Sequence, residues 1–203
     1  MDAVTLLTTT RSVRRKLDLE RSVSKTVLED CLRIAQQAPA AGSLLAAQRW
    51  VVVLDPAVRK EIAAITREAA EDAWRKYEHL VDRRMATSAR YLVERLDQVP
   101  ALVLPCMPGP VPTGTAELSA YYGSIYPAIW SFQLALRTHG LASSLCSYHL
   151  GGREADVARL LGIPDDVAQI GLLAVAYSTQ QEFSPAARPE VDEILSFDSW
   201  EKP

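Results

Sequence analysis

Chemistry has few places to reside in this chain. Thr8–Arg15 reads TTTRSVRR, with three threonines, one serine and three arginines. Its ordinary reading is a solvated basic turn. Its chemical reading is an anion clamp, in which hydroxyls and planar guanidiniums grip a phosphate bidentately. Both readings stand on the residues alone. A second candidate is Pro39–Arg49, PAAGSLLAAQR. A loop of Ala, Gly and Ser lets backbone approach a ligand closely, although a plain helix-to-strand connection is the commoner use of such a stretch. Cys146 and His149 follow a short apolar stretch. They read more simply as a packed thiol and a structural imidazole than as a redox thiol and a proton donor. Tyr121, Tyr122 and Tyr126 read as core and interface aromatics. With three His and three Cys there is no metal-ligand spacing, and no metal is expected.

Several elements must position these residues. From Ile125 to Leu136 only Ser131 and Gln133 interrupt a run of apolar and small residues. Ile125, Ile129, Phe132 and Leu136 recur at helical spacing, and Ala128, Trp130, Leu134 and Ala135 fill the other faces. Such a helix is expected to be buried on most of its circumference, as the central core helix, with a second subunit as one candidate for covering it. Pro127 either kinks it or marks its first turn. Gly140 is its expected stop, and Leu141–Ser147 then reads as a short buried strand. Upstream, Met1–Thr10 reads as a short helix and Ser24–Ala38 as an amphipathic helix capped by Ser24 and ended by Pro39. Trp50–Leu54 and Ala101–Met107 are apolar strands, separated by a helix from Pro56 to about Tyr77 and a further helix over His79–Gln98. Gly151–Gly162 is a short helix. Val167–Tyr177 reads as one long apolar strand. The tail, residues 178–203, is rich in Pro and polar residues, with Phe183, Phe197 and Trp200 as its anchors on something outside itself.

The chain has 203 residues, 48% hydrophobic and 23% charged, which suits one domain, 1–203, with a full core. A net charge of −3 and the lack of a long basic run make nucleic acid and anionic membrane poor partners. The N-terminal charge follows its short apolar stretch, the wrong order for a secretory signal. The odd, widely spaced cysteines suit free thiols in a reducing cytoplasm. Three or four strands separated by helices give an α+β or α/β sandwich. No G-x-G-x-x-G, P-loop or G-x-S-x-G supports the usual dinucleotide, NTPase or hydrolase readings.

Five stretches agree in order and spacing: TTTRSVRRKLDL, QQAPAAGS leading to RWVVVLD, the helix ending THGLASSL, LLGIP followed by GLLAVAY, and FSPAARPEVDEI. Together they resemble the nitroreductase family of flavoproteins from Thr8 to about Trp200. The resemblance implies an α+β, α/β/α sandwich with a central helix and a mixed, mostly antiparallel sheet, forming an intertwined homodimer whose tail packs on the partner subunit. It implies FMN as cofactor, NAD(P)H as hydride donor, and an electron-poor acceptor such as a nitroaromatic or quinone. The family's R-S-x-R motif falls on Arg11, Ser12 and Arg14. The resemblance gives Arg11 and Ser12 to the FMN phosphate and Arg14 to the flavin N1–C2=O edge. It makes Arg188 a second phosphate ligand, often supplied across the dimer, and sets Cys146, Ser147 and Tyr148 near flavin N5. No side chain is implied as a dedicated acid or base.

One departure stands out. After its Ala-Pro pair the family has a flavin-contacting Asn, whereas residues 38–48 here carry none and are one residue longer. Ser43 is the partial substitute, Gln48 is displaced, and Ala142 stands where Gly is usual. This motivates an alternative: a member that binds or sequesters flavin in a reshaped pocket without turnover.

Overall fold

Alternation along the strands decides the layering. The computed structural model describes residues 1–200. Its strands are β1 (Arg49–Val53), β2 (Ala101–Pro108), β3 (Leu141–Cys146), β4 (Val167–Gln169) and β5 (Leu172–Tyr177). Its helices are α1 (Ala3–Thr9), α2 (Lys25–Ala35), α3 (Pro56–Tyr77), α4 (Arg83–Glu94), α5 (Thr115–Thr138) and α6 (Glu154–Leu161). The strand order is β1-β2-β5-β3, with β4 also on β2, and every pairing between these strands is antiparallel. Leu102, Leu104 and Cys106 of β2, with Leu172 and Ala174 of β5, face Ile62 and Ala63 of α3 and Val157 of α6. Ala101, Val103 and Met107, with Leu173 and Val175, face Leu28 and Cys31 of α2 and Ile129 and Phe132 of α5. A period of two thus sends alternate side chains to two helical layers, the sandwich implied by the sequence.

Local chemistry sets the element boundaries. The Asp55 carboxylate accepts from Ala57 N at 2.9 Å and Val58 N at 3.0 Å, and Pro56 opens α3 with its fixed φ. Replacing Asp55 with alanine is expected to cost about 1 kcal/mol, a drop of roughly 2–4 °C in thermal midpoint measured by circular dichroism. Ser24 holds the cap position of α2, but its side chain makes no capping bond. The helix ends at Ala35 and unwinds through a turn in which Ala38 N donates to Ala35 O, ahead of Pro39. The expected strand Val167–Tyr177 divides in two. Ile170 N turns to Pro105 O at 2.9 Å, and a Cβ at Gly171 would meet Leu145 Cδ1 at 2.8 Å and the Cys146 carbonyl at 3.3 Å. Glycine eases this approach of β5 to the end of β3, because a side chain here would push the Leu145 methyl aside and crowd the Cys146 carbonyl.

Helix α5 differs from its expected all-round burial. Its buried residues, Tyr121, Ser124, Ile125, Ala128, Ile129, Phe132, Ala135 and Leu136, form one stripe. Tyr126 is 45% and Trp130 38% exposed. Pro127 lies within the helix, where it removes the donor that would reach the Gly123 carbonyl. Gly140, at φ +74°, provides the stop. In the tail, Phe183 packs under Arg137, whose guanidinium lies 4.2 Å from its ring centroid. Phe197 and Trp200 are 77% and 94% exposed, so they do not anchor on their own chain. Among the described residues, no helix is long and apolar enough to cross a membrane.

Candidate functional site

The basic stretch is held against the free edge of β3. Val13 is buried, and its N–H donates to Ser143 O at 2.9 Å. This stitch sends the flanking arginines to different cavities. Arg11 shares a narrow cleft with Thr9, Thr10, Gln133, Arg137, Ser143 and Phe183. Arg14 borders a cavity of about 240 Å³ lined by Ala89, Leu92, Val93 and residues 144–148. The guanidiniums of the basic stretch therefore do not converge: Arg11 stands beside Leu141, Ala142 and Ser143, and Arg14 beside residues 144–148.

The cleft around Arg11 is lined by two cationic side chains, Arg11 and Arg137. Arg137 donates to Thr9 Oγ1 at 3.3 Å, while its buried Nε has no partner. Burial and the neighbouring Arg11 charge both push the Arg137 pKa down. Among the described residues neither arginine is paired with a carboxylate; Arg11 donates instead to the Ser184 carbonyl of the tail. Gln133 Nε2 donates to Ser143 Oγ at 3.0 Å and completes a polar floor. Two guanidiniums, one of them with an orphaned Nε–H, supply the charged donors of this cleft, and exposed Ser12 lies next to Arg11 in the chain, a combination suited to a phosphate. Sequence reading gives Arg137 no part in the site and misses it here. The available signal is Gln133, one of two polar breaks in the apolar run, which lies one turn before Arg137 on α5.

Beyond β3 the backbone makes a 3₁₀ turn over Tyr148–Leu150. Cys146 lines the Arg14 cavity and Ser147 is exposed there. Burial pushes the Cys146 thiol up to about 12, against the opposing pull of a Tyr148 backbone hydrogen bond and the Arg14 charge. The thiol stays protonated at neutral pH, which suits a packed residue and not a thiolate nucleophile. Cys31 and Cys106 are buried, each pushed up to about 11, first of all by desolvation. His149 is fully buried, its pKa lowered to about 4 chiefly by desolvation. It faces the Gln169 carboxamide, whose oxygen, like both ring nitrogens, makes no hydrogen bond of ordinary geometry. No group of His, Cys, Asp or Glu suited to a metal ion occurs among the described residues.

Arg11, Ser12, Arg14, Cys146 and Ser147 are thus gathered along one edge. Ser43 is not among them. It is exposed in a 3₁₀ turn, Gly42–Leu44, tethered to α5 where Ala41 N donates to Ser124 Oγ at 3.0 Å. Gln48 turns its carboxamide oxygen inward without a partner. Arg188 is exposed in the tail and donates to the carbonyl of Ala187 beside it. Within one chain, neither Ser43 nor Arg188 shares a cavity or a hydrogen bond with the edge cluster among the described residues.

The Nitroreductase family profile matches residues 7–177. No curated protein matches the sequence. Among solved structures, the chain is similar to an FMN and NADPH-dependent nitroreductase, NfnB, from Sphigopyxis sp. strain HMH, at 20% identity and a TM-score of 0.71, covering 98% of this chain and 100% of the other. It is similar to an iodotyrosine deiodinase bound to FMN and 3-iodo-L-tyrosine, at 20% identity and a TM-score of 0.74, covering 96% and 98%. It is also similar to a BluB-like flavoprotein from Clostridium difficile 630, at 19% identity and a TM-score of 0.73, covering 98% and 100%.

Proposed function

Because the chain belongs to the nitroreductase family, we propose that it is an FMN-dependent oxidoreductase that passes reducing equivalents from NAD(P)H to an electron-poor acceptor such as a nitroaromatic or quinone. The observation that carries this reading is the edge of β3, where Arg11 and Arg14, without a carboxylate partner among the described residues, border successive cavities along the strand. FMN, when bound, supplies hydride acceptance and donation. The residues supply the rest. Arg11 and Ser12 bind the phosphate, and the Arg137 charge adds to the field there. Arg14 holds a fixed positive charge toward the flavin edge that becomes anionic on reduction, which favours the reduced form. The neutral Cys146 side chain and the adjoining backbone of Ser147 and Tyr148 form a wall beside the ring. No protein acid or base is needed for the transfer itself.

Neither Ser43 nor Arg188 joins the edge cluster within one chain, and in this reading a second copy supplies them, so the reading includes a homodimer. The exposed faces of Tyr126 and Trp130 on α5, and of Ile194, Phe197 and Trp200 in the tail, support it. Trp130→Ala is expected to weaken self-association by about 1–2 kcal/mol in sedimentation equilibrium, because a half-exposed tryptophan on an apolar face is a typical anchor.

An absorption spectrum before and after anaerobic NADH or NADPH tests the function. A yellow protein that bleaches supports it. Bound flavin that no nicotinamide bleaches overturns turnover and leaves a flavin-sequestering protein, the reading favoured by the Asn-less 38–48 loop.

A further inference from the structure

Consecutive arginines straddle helix α4. Arg14 borders the cavity beneath it, where Ala89, Leu92 and Val93 form the α4 side of the lining. Arg15 crosses to the opposite face of the helix. There its guanidinium donates to Thr87 O at 3.5 Å and lies 5.2 Å from the centroid of the Tyr91 ring. Positions 84, 87, 88 and 91 recur at i, i+3, i+4 and i+7 on α4, so Arg84 and Ser88 share this outer face with the two residues that hold Arg15. We propose that Arg15 and Arg84, with the Ser88 hydroxyl, bind the adenosine 2′-phosphate of the hydride donor, and that they make NADPH the preferred nicotinamide over NADH. The proposal rests on the oxidoreductase reading above and names the donor for it.

Three features carry it. The first is charge. Among the described residues, neither Arg15 nor Arg84 pairs with a carboxylate. The acidic side chains that flank α4 are already engaged. Asp82 caps the helix, accepting from Arg84 N at 2.9 Å and Met85 N at 3.2 Å, and Glu94 reaches Arg95 at 3.4 Å. Two guanidiniums and a hydroxyl on one stripe suit a phosphate monoester, which accepts charge-assisted hydrogen bonds on three oxygens. NADH presents only a neutral hydroxyl at the same place.

The second is order. Arg15 is held by the Thr87 carbonyl, and it shares the Tyr91 ring with Arg95, whose guanidinium lies 4.2 Å from the centroid. A planar guanidinium already fixed against an aromatic ring loses less freedom when it grips a phosphate, and its face can stack on an adenine.

The third is reach. An α-helix with its side chains is about 10–12 Å thick, so the outer face of α4 lies about one helix width from the cavity at Arg14. An extended dinucleotide spans that distance, with its nicotinamide at the cavity and its adenosine on the arginines.

The test is calorimetric titration of the full-length protein saturated with FMN, which keeps the Arg11 cleft filled. The probes are adenosine 2′,5′-diphosphate, 5′-AMP and inorganic phosphate. The 2′,5′-diphosphate is expected to bind about 10- to 100-fold more tightly than 5′-AMP, the worth of charge-assisted bonds to the added phosphate. Arg15→Ala and Arg84→Ala are each expected to weaken its binding by about three- to tenfold and to leave 5′-AMP unchanged. Both side chains are exposed, so these variants should fold. Arg75→Ala removes an exposed arginine of α3 that pairs with Asp72, and should change neither affinity. In stopped-flow bleaching, NADPH should show an apparent Kd at least about tenfold below that of NADH at a similar limiting rate, and Arg15→Ala should raise the NADPH value alone. Equal binding of the 2′,5′-diphosphate and 5′-AMP, or binding indifferent to both arginine variants, overturns the proposal. Inorganic phosphate binding as tightly as the 2′,5′-diphosphate also overturns it, because the arginines would then be a bare anion site. Selective 2′,5′-diphosphate binding in a protein that neither nicotinamide bleaches keeps the phosphate site and overturns the oxidoreductase reading. Bleaching by NADH and NADPH alike, without 2′-phosphate selectivity, overturns only the choice of donor.

Discussion

Arg11→Ala is expected to weaken FMN binding by about 10- to 100-fold, while leaving riboflavin binding nearly unchanged. The magnitude follows from the loss of charge-assisted hydrogen bonds to a phosphate, worth about 1.5–3 kcal/mol. Selectivity for the phosphorylated form follows from position. Arg11 sits in the cleft with Thr9, Gln133 and Arg137, separated by the buried Val13 from the Arg14 cavity. Arg14→Gln should therefore behave differently and weaken FMN and riboflavin alike. Protein stability is a clean control for Arg11. Its side chain is exposed, its single hydrogen bond goes to the Ser184 carbonyl, and such surface changes typically stay within about ±0.5 kcal/mol. Fluorescence titration of both flavins against the wild type and the two variants measures the outcome. Equal losses for the two flavins in Arg11→Ala would remove the phosphate from this cleft.

The second large effect is on stability below neutral pH. His149 is fully buried, and its pKa in the folded chain, about 4, lies below the ordinary 6.5. A depressed folded-state value means that folding favours the neutral ring. The resulting stabilisation is complete above pH 6.5 and is lost as pH falls toward 4. A shift of this size corresponds to about 3 kcal/mol, accruing at up to ~1.4 kcal/mol per pH unit. The site sets this direction because desolvation of a charged imidazole outweighs the opposing pull of the Gln169 carboxamide. Its neighbour is the uncharged Gln169 carboxamide, and neither ring nitrogen has a well-formed bond. Urea denaturation between pH 4 and 7 should show midpoints declining on the acid side, with the slope flattened in His149→Gln. An unchanged slope in that variant would assign acid sensitivity to other groups. His149 bonds its backbone carbonyl to Arg153 N at 2.9 Å and begins just after the Arg14 cavity, so acid unfolding should start beside the proposed flavin site.

Some of this protein is written locally. The apolar runs 101–107 and 167–177 read as interior strands, whichever helices cover them, although the second is one strand in that reading. Asp55-Pro56 and Gly140 mark helix ends through backbone chemistry that involves no distant residue. TTTRSVRR concentrates guanidiniums and hydroxyls, and so an anion clamp is legible as one of two readings before any fold is known. Other features were decided only by tertiary contacts. The break at Ile170–Gly171 depends on how closely β5 must pass the Cys146 carbonyl, a distance that no periodicity encodes. Arg137 looks like a helix-end cation until the fold sets it beside Arg11. Trp74, Met85 and Tyr148 lie far apart in sequence and share a wall only because α3 and α4 pack over the end of β3. Helix α5 shows the divide within one element. Composition makes it apolar on nearly all sides, but a single chain has only enough sheet to bury one stripe of it. The exposure of Tyr126 and Trp130 is a consequence of packing geometry: the sheet has two faces, and α5 presents more apolar surface than one face can cover.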